Sequence, residues 1–149
     1  MSPRLSEGYK IVEEIMARTN KQAVEDFFSA VAESDTEKML STFDSDLKII
    51  EADSLPYGGI VEGSENFQDF TKRVFTTWNN TRVQVQRILA DDAYVVVIAT
   101  MSAESKLSGS SFDMEIAEIW TFNLSGKVIE IKPFYFDTHK LVCLHSGDI

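Results

Sequence analysis

The sequence predicts an α+β domain: a cone-shaped, strongly curved and mainly antiparallel sheet, with N-terminal helices and one long helix on its concave face. Three observations carry this. Apolar residues recur at helical spacing as far as Phe43, they alternate at period two from Arg82 onward, and turn signals cut that second half into four strands.

Ser6 offers an N-cap for a helix reaching about Arg18, with Ile11, Val12, Ile15 and Met16 on one face. Asn20 offers a cap for a second helix, striped by Val24, Phe27, Phe28, Val31 and Ala32. Ser34-Asp35 ends it and caps a third, Thr36 to Phe43. Leu47 to Glu51 reads as a strand. Ser54 to Gly59 is a loop, because Pro56 lacks a donor and paired glycines allow positive φ. After a short extended stretch, Ile60 to Glu62, Ser64 is placed to cap a helix carrying Phe67, Phe70, Val74, Phe75 and Trp78. Four strands follow, Arg82–Leu89, Ala93–Ser105, Ser111–Leu124 and Lys127–Asp137, with turns at Asp91-Asp92, around Gly109 and at Ser125-Gly126. The expected organisation is a helical extension over 1–19, the main domain over 20–137, and a tail of mixed pattern over 138–149.

At 149 residues, 44% hydrophobic and with ten Phe, the chain can bury one proper core. A formal charge of -10 argues against nucleic acid and against acidic lipid surfaces, both of which need clustered Lys and Arg. Cys143 is the sole cysteine, which excludes an internal disulfide and fits a reducing compartment. Met1 to Lys10 lacks the apolar run of a signal peptide, and no segment has the length of a membrane span, so the expected location is cytoplasmic. His139 and His145 stand apart from any cluster of ligating side chains, so neither a metal nor another cofactor is expected.

The chemistry lies in two misplaced acids. Phe112, Met114, Ile116, Glu118, Trp120 and Phe122 share one strand face, and so do Leu47, Ile49 and Glu51. A carboxyl on an apolar face must find a donor, bind a cation or hold its proton. Glu51 and Glu118 are therefore the candidate catalytic residues. The alternative for Glu118 is a structural ion pair with Arg82 or Arg87. Tyr57 either gates a pocket or packs under its own loop. Tyr135 and Asp137 close the last strand on one face, as pocket groups or as an ordinary strand end. Trp78 is core or pocket wall. The strand around Val95 to Met101 is apolar on both faces, so its outer side needs a cover, and a second copy in a homodimer is the expected one.

Four stretches carry a family resemblance: Ala23-Val24-Glu25-Asp26-Phe27-Phe28 with Ser34-Asp35, Phe43-x-x-Asp46-Leu47, Leu55-Pro56-Tyr57-Gly58-Gly59 with Gly63, and Trp120-Thr121-Phe122 through Ser125-Gly126-Lys127-Val128. Over Asn20 to Asp137 the chain resembles the nuclear transport factor 2-like superfamily, in its ketosteroid isomerase and SnoaL-type polyketide cyclase branch. The resemblance implies a cystatin-like roll whose cone holds a small hydrophobic molecule. The isomerase's general base lies five residues after the Asp that opens the first strand, which is Glu51 counted from Asp46. Its oxyanion-hole acid lies eight residues before the Gly of the last turn, which is Glu118 counted from Gly126. Its third partner, a Tyr, falls on Phe27, and loss of one such donor costs about 3 kcal/mol of transition-state stabilisation. The resemblance thus implies a cofactor-free isomerase or cyclase acting on a carbonyl compound, or a ligand-binding or dimerisation module of the same fold. Phe27, Tyr57, Trp78, Trp120, Tyr135 and Asp137 are expected around the ligand.

Overall fold

The computed structural model describes residues 6–147. Ser6 caps the first helix, α1 (Glu7–Ala32), accepting from the Tyr9 N–H at 3.2 Å. The break expected at Asn20 is absent. Asn20 is buried, and its amide donates to the Asp92 carbonyl at 3.2 Å, so it ties the middle of an unbroken helix to a strand turn. The second half of α1 buries Val24, Phe27 and Ala30, whereas Ile11, Val12 and Ile15 of the first half stay exposed. Asp35 caps α2 (Thr36–Ser41) through the Lys38 N–H.

Strands β1 (Phe43–Glu51) and β2 (Gly59–Glu62) lead to a single 3-10 turn, Ser64–Asn66, and to α3 (Phe67–Thr77). Ser64 belongs to that turn and does not cap α3, which starts with no side-chain cap. Trp78 lies just past α3 in extended backbone, not within the helix as expected. Then come β3 (Asn79–Asp91), β4 (Tyr94–Glu104), β5 (Ser111–Phe122) and β6 (Val128–Tyr135). The last strand stops two residues short of Asp137, which caps a further helix, α4 (Thr138–Ser146). The tail expected to be mixed is helical because Leu141 and Leu144 find a buried seat. Among the described residues no helix is long and apolar enough to cross a membrane.

The sheet is six-stranded and open, in the order β2-β1-β6-β5-β4-β3. Neighbours are antiparallel except β1 and β6, which run parallel. The fold is thus α+β with a mixed, mainly antiparallel sheet, as the sequence predicts. Its inner face carries two apolar clusters. The first joins α1, α3 and the sheet through Val24, Phe27, Phe43, Ile49, Val97 and Trp120. The second gathers Leu55, Tyr57, Trp78, Met101, Phe112 and Leu141 beneath α4. Gly58 lets the 52–58 loop close over this second cluster, since a Cβ there would stand 2.3 Å from the Ala52 carbonyl oxygen.

If α4 completes the second cluster, Leu141→Ala should cost about 3 kcal/mol in urea unfolding. Phe136→Ala, at a residue 85% exposed, should stay within about 0.5 kcal/mol of the parent.

Candidate functional site

The two apolar clusters meet along a seam, and the acids sit on it. On β5, Ile116 belongs to the second cluster and Trp120 to the first, while Glu118 between them belongs to neither. Val97 lies opposite Glu118 on β4 and is the last residue there of the first cluster, because Ala99 already packs in the second. On the other side of Glu118 stands Pro133 of β6. Glu51 follows Leu47 and Ile49 of the first cluster at the end of β1. Strand alternation alone puts both carboxyls on the inner face.

Glu51 is 4% exposed, and Glu118 is partly buried. The Tyr135 hydroxyl donates to Glu51 Oε2 at 2.9 Å, and the Trp120 indole donates to Glu118 Oε1 at 3.2 Å. Among the described residues no ion pair joins Glu118 to Arg82 or Arg87. The register explains why: β4 separates β3 from β5, and both arginines lie opposite outward residues, Ser102 and Ile98.

Burial pushes the Glu51 carboxyl up to about 8; the Tyr135 hydroxyl pulls it partly back, and the charge of Glu118 adds to the rise. The acids are thus near enough to feel each other. Burial also raises Glu118, against the opposing pull of the Trp120 N–H. Both tyrosines are raised by burial as well, Tyr57 with the Trp78 indole and the Tyr135 hydroxyl acting against the rise. Among the described residues, Glu51 Oε1, the Tyr57 hydroxyl and Trp78 Nε1 are buried without a hydrogen-bond partner. Tyr57 lies near enough to Trp78 and Tyr135 to be influenced by them, yet no hydrogen bond of ordinary geometry joins them. Leaving such a group unmatched costs about 1–3 kcal/mol.

Of the six residues expected around the ligand, Tyr135, Tyr57, Trp78 and Trp120 thus gather about the acids. Tyr57 is 1% exposed and packs beneath its loop, not at an open mouth. Phe27 stacks edge-on against Trp120 with ring centroids 5.0 Å apart, so it supplies wall and no donor. Asp137 does not join them: its carboxylate is exposed and accepts the Lys140 N–H at 3.0 Å as the α4 cap. A cavity of about 210 Å³ opens against Glu51, Pro133 and Tyr135, with Lys132 also on its lining. Sequence reasoning did not single out Pro133 or Lys132. The one available signal was a proline inside a strand, which marks an interrupted ladder.

The family model of the SnoaL-like domain matches residues 24–131. No curated protein matches the chain. Among solved structures, a nuclear transport factor 2-like protein from Burkholderia xenovorans LB400 superposes with a TM-score of 0.73 at 20% identity, covering 87% of this chain and 97% of its own. A protein from Jannaschia sp. CCS1, described as a SnoaL-like polyketide cyclase, gives 0.70 at 19% identity, covering 97% and 99%. A protein from Catenulispora acidiphila DSM 44928 with a ketosteroid isomerase-like fold, in complex with trimethylamine, gives 0.65 at 15% identity, covering 84% and 92%. At these identities the likeness is one of fold.

Glu51 has a folded pKa of about 8, above its ordinary 4.5, so between those values the folded state holds a proton that the unfolded state has released. Stability should be fullest below pH 4.5 and decline as pH rises toward 8. The slope approaches ~1.4 kcal/mol per pH unit. In urea titrations Glu51→Gln should remove that slope; an equal slope in both proteins would mean that Glu51 is not the buried proton holder.

Proposed function

The chain belongs to the SnoaL-like domain family, and on that premise we propose that it is a small-molecule protein of the isomerase or cyclase type, acting on a hydrophobic carbonyl compound through Glu51 and Glu118. The observation that carries this reading is the pair of inward carboxyls on the seam, surrounded by buried polar atoms that lack partners. A carbonyl compound is the ligand that answers them. Its oxygen accepts hydrogen bonds from neutral Glu118, the Tyr57 hydroxyl or the Trp78 indole, and its α-carbon supplies the proton that Glu51 takes.

In the first step the Glu51 carboxylate removes the α-proton and becomes the acid. The C–H electron pair moves into the new C=C bond, and the carbonyl π pair moves onto oxygen. Glu118 stabilises that enolate by donating its own proton in a hydrogen bond, as a carboxylic acid kept neutral by an apolar site can. Return of the proton from Glu51 to a different carbon gives an isomer. Attack of the enolate carbon on a second carbonyl closes a ring, the π pair of that carbonyl moving to its oxygen, which takes the proton back from Glu51. A pKa of about 8 leaves Glu51 able to exchange its proton near neutrality in either direction. Tyr135 holds Glu51 in place, and Trp120 does the same for Glu118.

The second reading is a binding module without chemistry. It is favoured by the aromatic plug at one end of the cone, where Phe27, Phe43, Phe67 and Trp120 fill the space with their own rings. The trimethylamine complex of the Catenulispora relative supports small-molecule binding in this fold under either reading.

Two further parts belong to the proposal. On the outer sheet face Leu89 and Tyr94 are 52% and 53% exposed, and Val96, Ile98 and Ile119 lie between them and the next strands. Such a patch suits a second copy in a two-fold homodimer. A cytoplasmic location agrees with the lone Cys143.

Deuterium uptake separates the two readings. With a panel of cyclic ketones in D₂O, the parent should incorporate deuterium next to the carbonyl, measured by mass spectrometry. Glu51→Gln should slow that exchange about 100-fold or more, and Glu118→Gln by about 10-fold or more. Binding of the ketones without uptake leaves the module reading. For the assembly, the parent should sediment as a dimer and Ile98→Glu as a folded monomer; a monomeric parent removes the homodimer.

A further inference from the structure

β1 and β6 part company beside Glu51. Their parallel ladder runs through Lys48 opposite Glu130 and Ile49 opposite Ile131, with no paired residues beyond. Each strand then continues with a different neighbour, β1 to Glu51 opposite Gly59 of β2, and β6 to Tyr135 opposite Ile116 of β5. Pro133 supplies the reason, for it has no N–H to give to β1, and a ladder that needs that donor ends there. The resulting gap coincides with the cavity of about 210 Å³. Its lining alternates between faces: Glu51, Pro133 and Tyr135 point inward on their strands, while Ile50, Lys132 and Phe134 point outward. The cavity therefore passes between two strands and connects the outer surface with the acid.

Two other sides are filled by described residues. At one end of the cone Phe27, Phe43 and Trp120 pack ring against ring. At the other, Leu141 and Leu144 of α4 are buried, and the Ser105 hydroxyl fixes the helix by donating to the Leu144 carbonyl at 2.8 Å. Lys132 is the one cation on the cavity lining, and among the described residues it has no ion-pair partner. A chain of net charge -10 repels anions at a distance, so a cation placed at this opening selects by charge only what has reached it.

We infer that the gap between β1 and β6 is the entrance to the acid pair, and that it admits small planar compounds bearing a carboxylate, held by Lys132 while the apolar body lies against Ile50 and Pro133. This rests on the proposed chemistry for its destination, and it names the substrate class for that chemistry: carbonyl compounds that are also acids. With its pKa raised to about 8, Glu51 is mostly neutral at pH 7 and opposes the incoming charge little, while its carboxylate fraction remains to take the proton.

The test uses the full chain at pH 7 and two fluorinated probes of similar size, 4-fluorobenzoate and 4-fluorobenzyl alcohol, followed by fluorine NMR. The acid should bind about fivefold more tightly than the alcohol, the upper range for one solvent-touched ion pair. Lys132→Met should abolish that preference and leave the alcohol unchanged, and Lys132→Arg should keep it. Ile50→Trp should weaken both probes by narrowing the gap; if that variant is unfolded by circular dichroism, the Lys132 pair decides alone. Equal affinities for acid and alcohol, no binding of the acid, or an acid affinity untouched by Lys132→Met would overturn the inference. A charge preference that follows Lys132 in a protein with no deuterium exchange would sink the proton chemistry and spare the entrance, so the two failures are distinct.

Discussion

Desolvation of Glu51 is the constraint on which its whole neighbourhood depends, because a carboxyl at the end of a buried strand can be tolerated only as a neutral acid or as a well-matched anion. The fold takes the first course. One oxygen accepts from Tyr135 and the other has no partner among the described residues, so the charged form is held only weakly and the carboxyl is raised to about 8. Glu118 strengthens the effect, since a second carboxyl within electrostatic reach makes two negative charges costlier than one.

The position of the pair follows from packing. A single continuous core would leave the inner face no room for polar groups. Here the core is divided into two clusters, one under α1 and α3 and one under α4 and the 52–58 loop. Where they meet, the strands place Glu118, Pro133 and Glu51. Pro133 acts twice: it is an apolar wall beside Glu118, and it ends the β1–β6 ladder beside Glu51.

Phe27 marks the clearest departure from the isomerase pattern. Its ring lies against Trp120, and Trp120 in turn gives Glu118 its indole hydrogen. The isomerase's tyrosine has no counterpart on α1, and the hydrogen that Glu118 accepts comes from β5, two residues away. Tyr57 and Trp78 bring further donors from the opposite cluster. The hydrogen bonds that the two acids accept thus come from β6 and β5, through Tyr135 and Trp120.

Period-two alternation placed Glu51 and Glu118 on inner faces, and turn chemistry placed the strands of the second half, because both depend on backbone geometry that each residue carries with it. The caps at Ser6 and Asp35 were legible for the same reason. Asn20, Tyr135 and Asp137 were not. Asn20 reads locally as a cap, yet a contact with Asp92, distant in sequence, keeps the helix whole. Tyr135 and Asp137 read as one face of one strand, yet one reaches Glu51 at the end of β1 and the other turns away to start α4. Helix α4 itself has little pattern of its own and exists because Leu141 and Leu144 fit a hollow made by remote strands. Local order could be read from neighbours along the chain; who pairs with whom, and where the β1–β6 ladder ends, was decided only when distant segments were brought together and had to share the same buried volume.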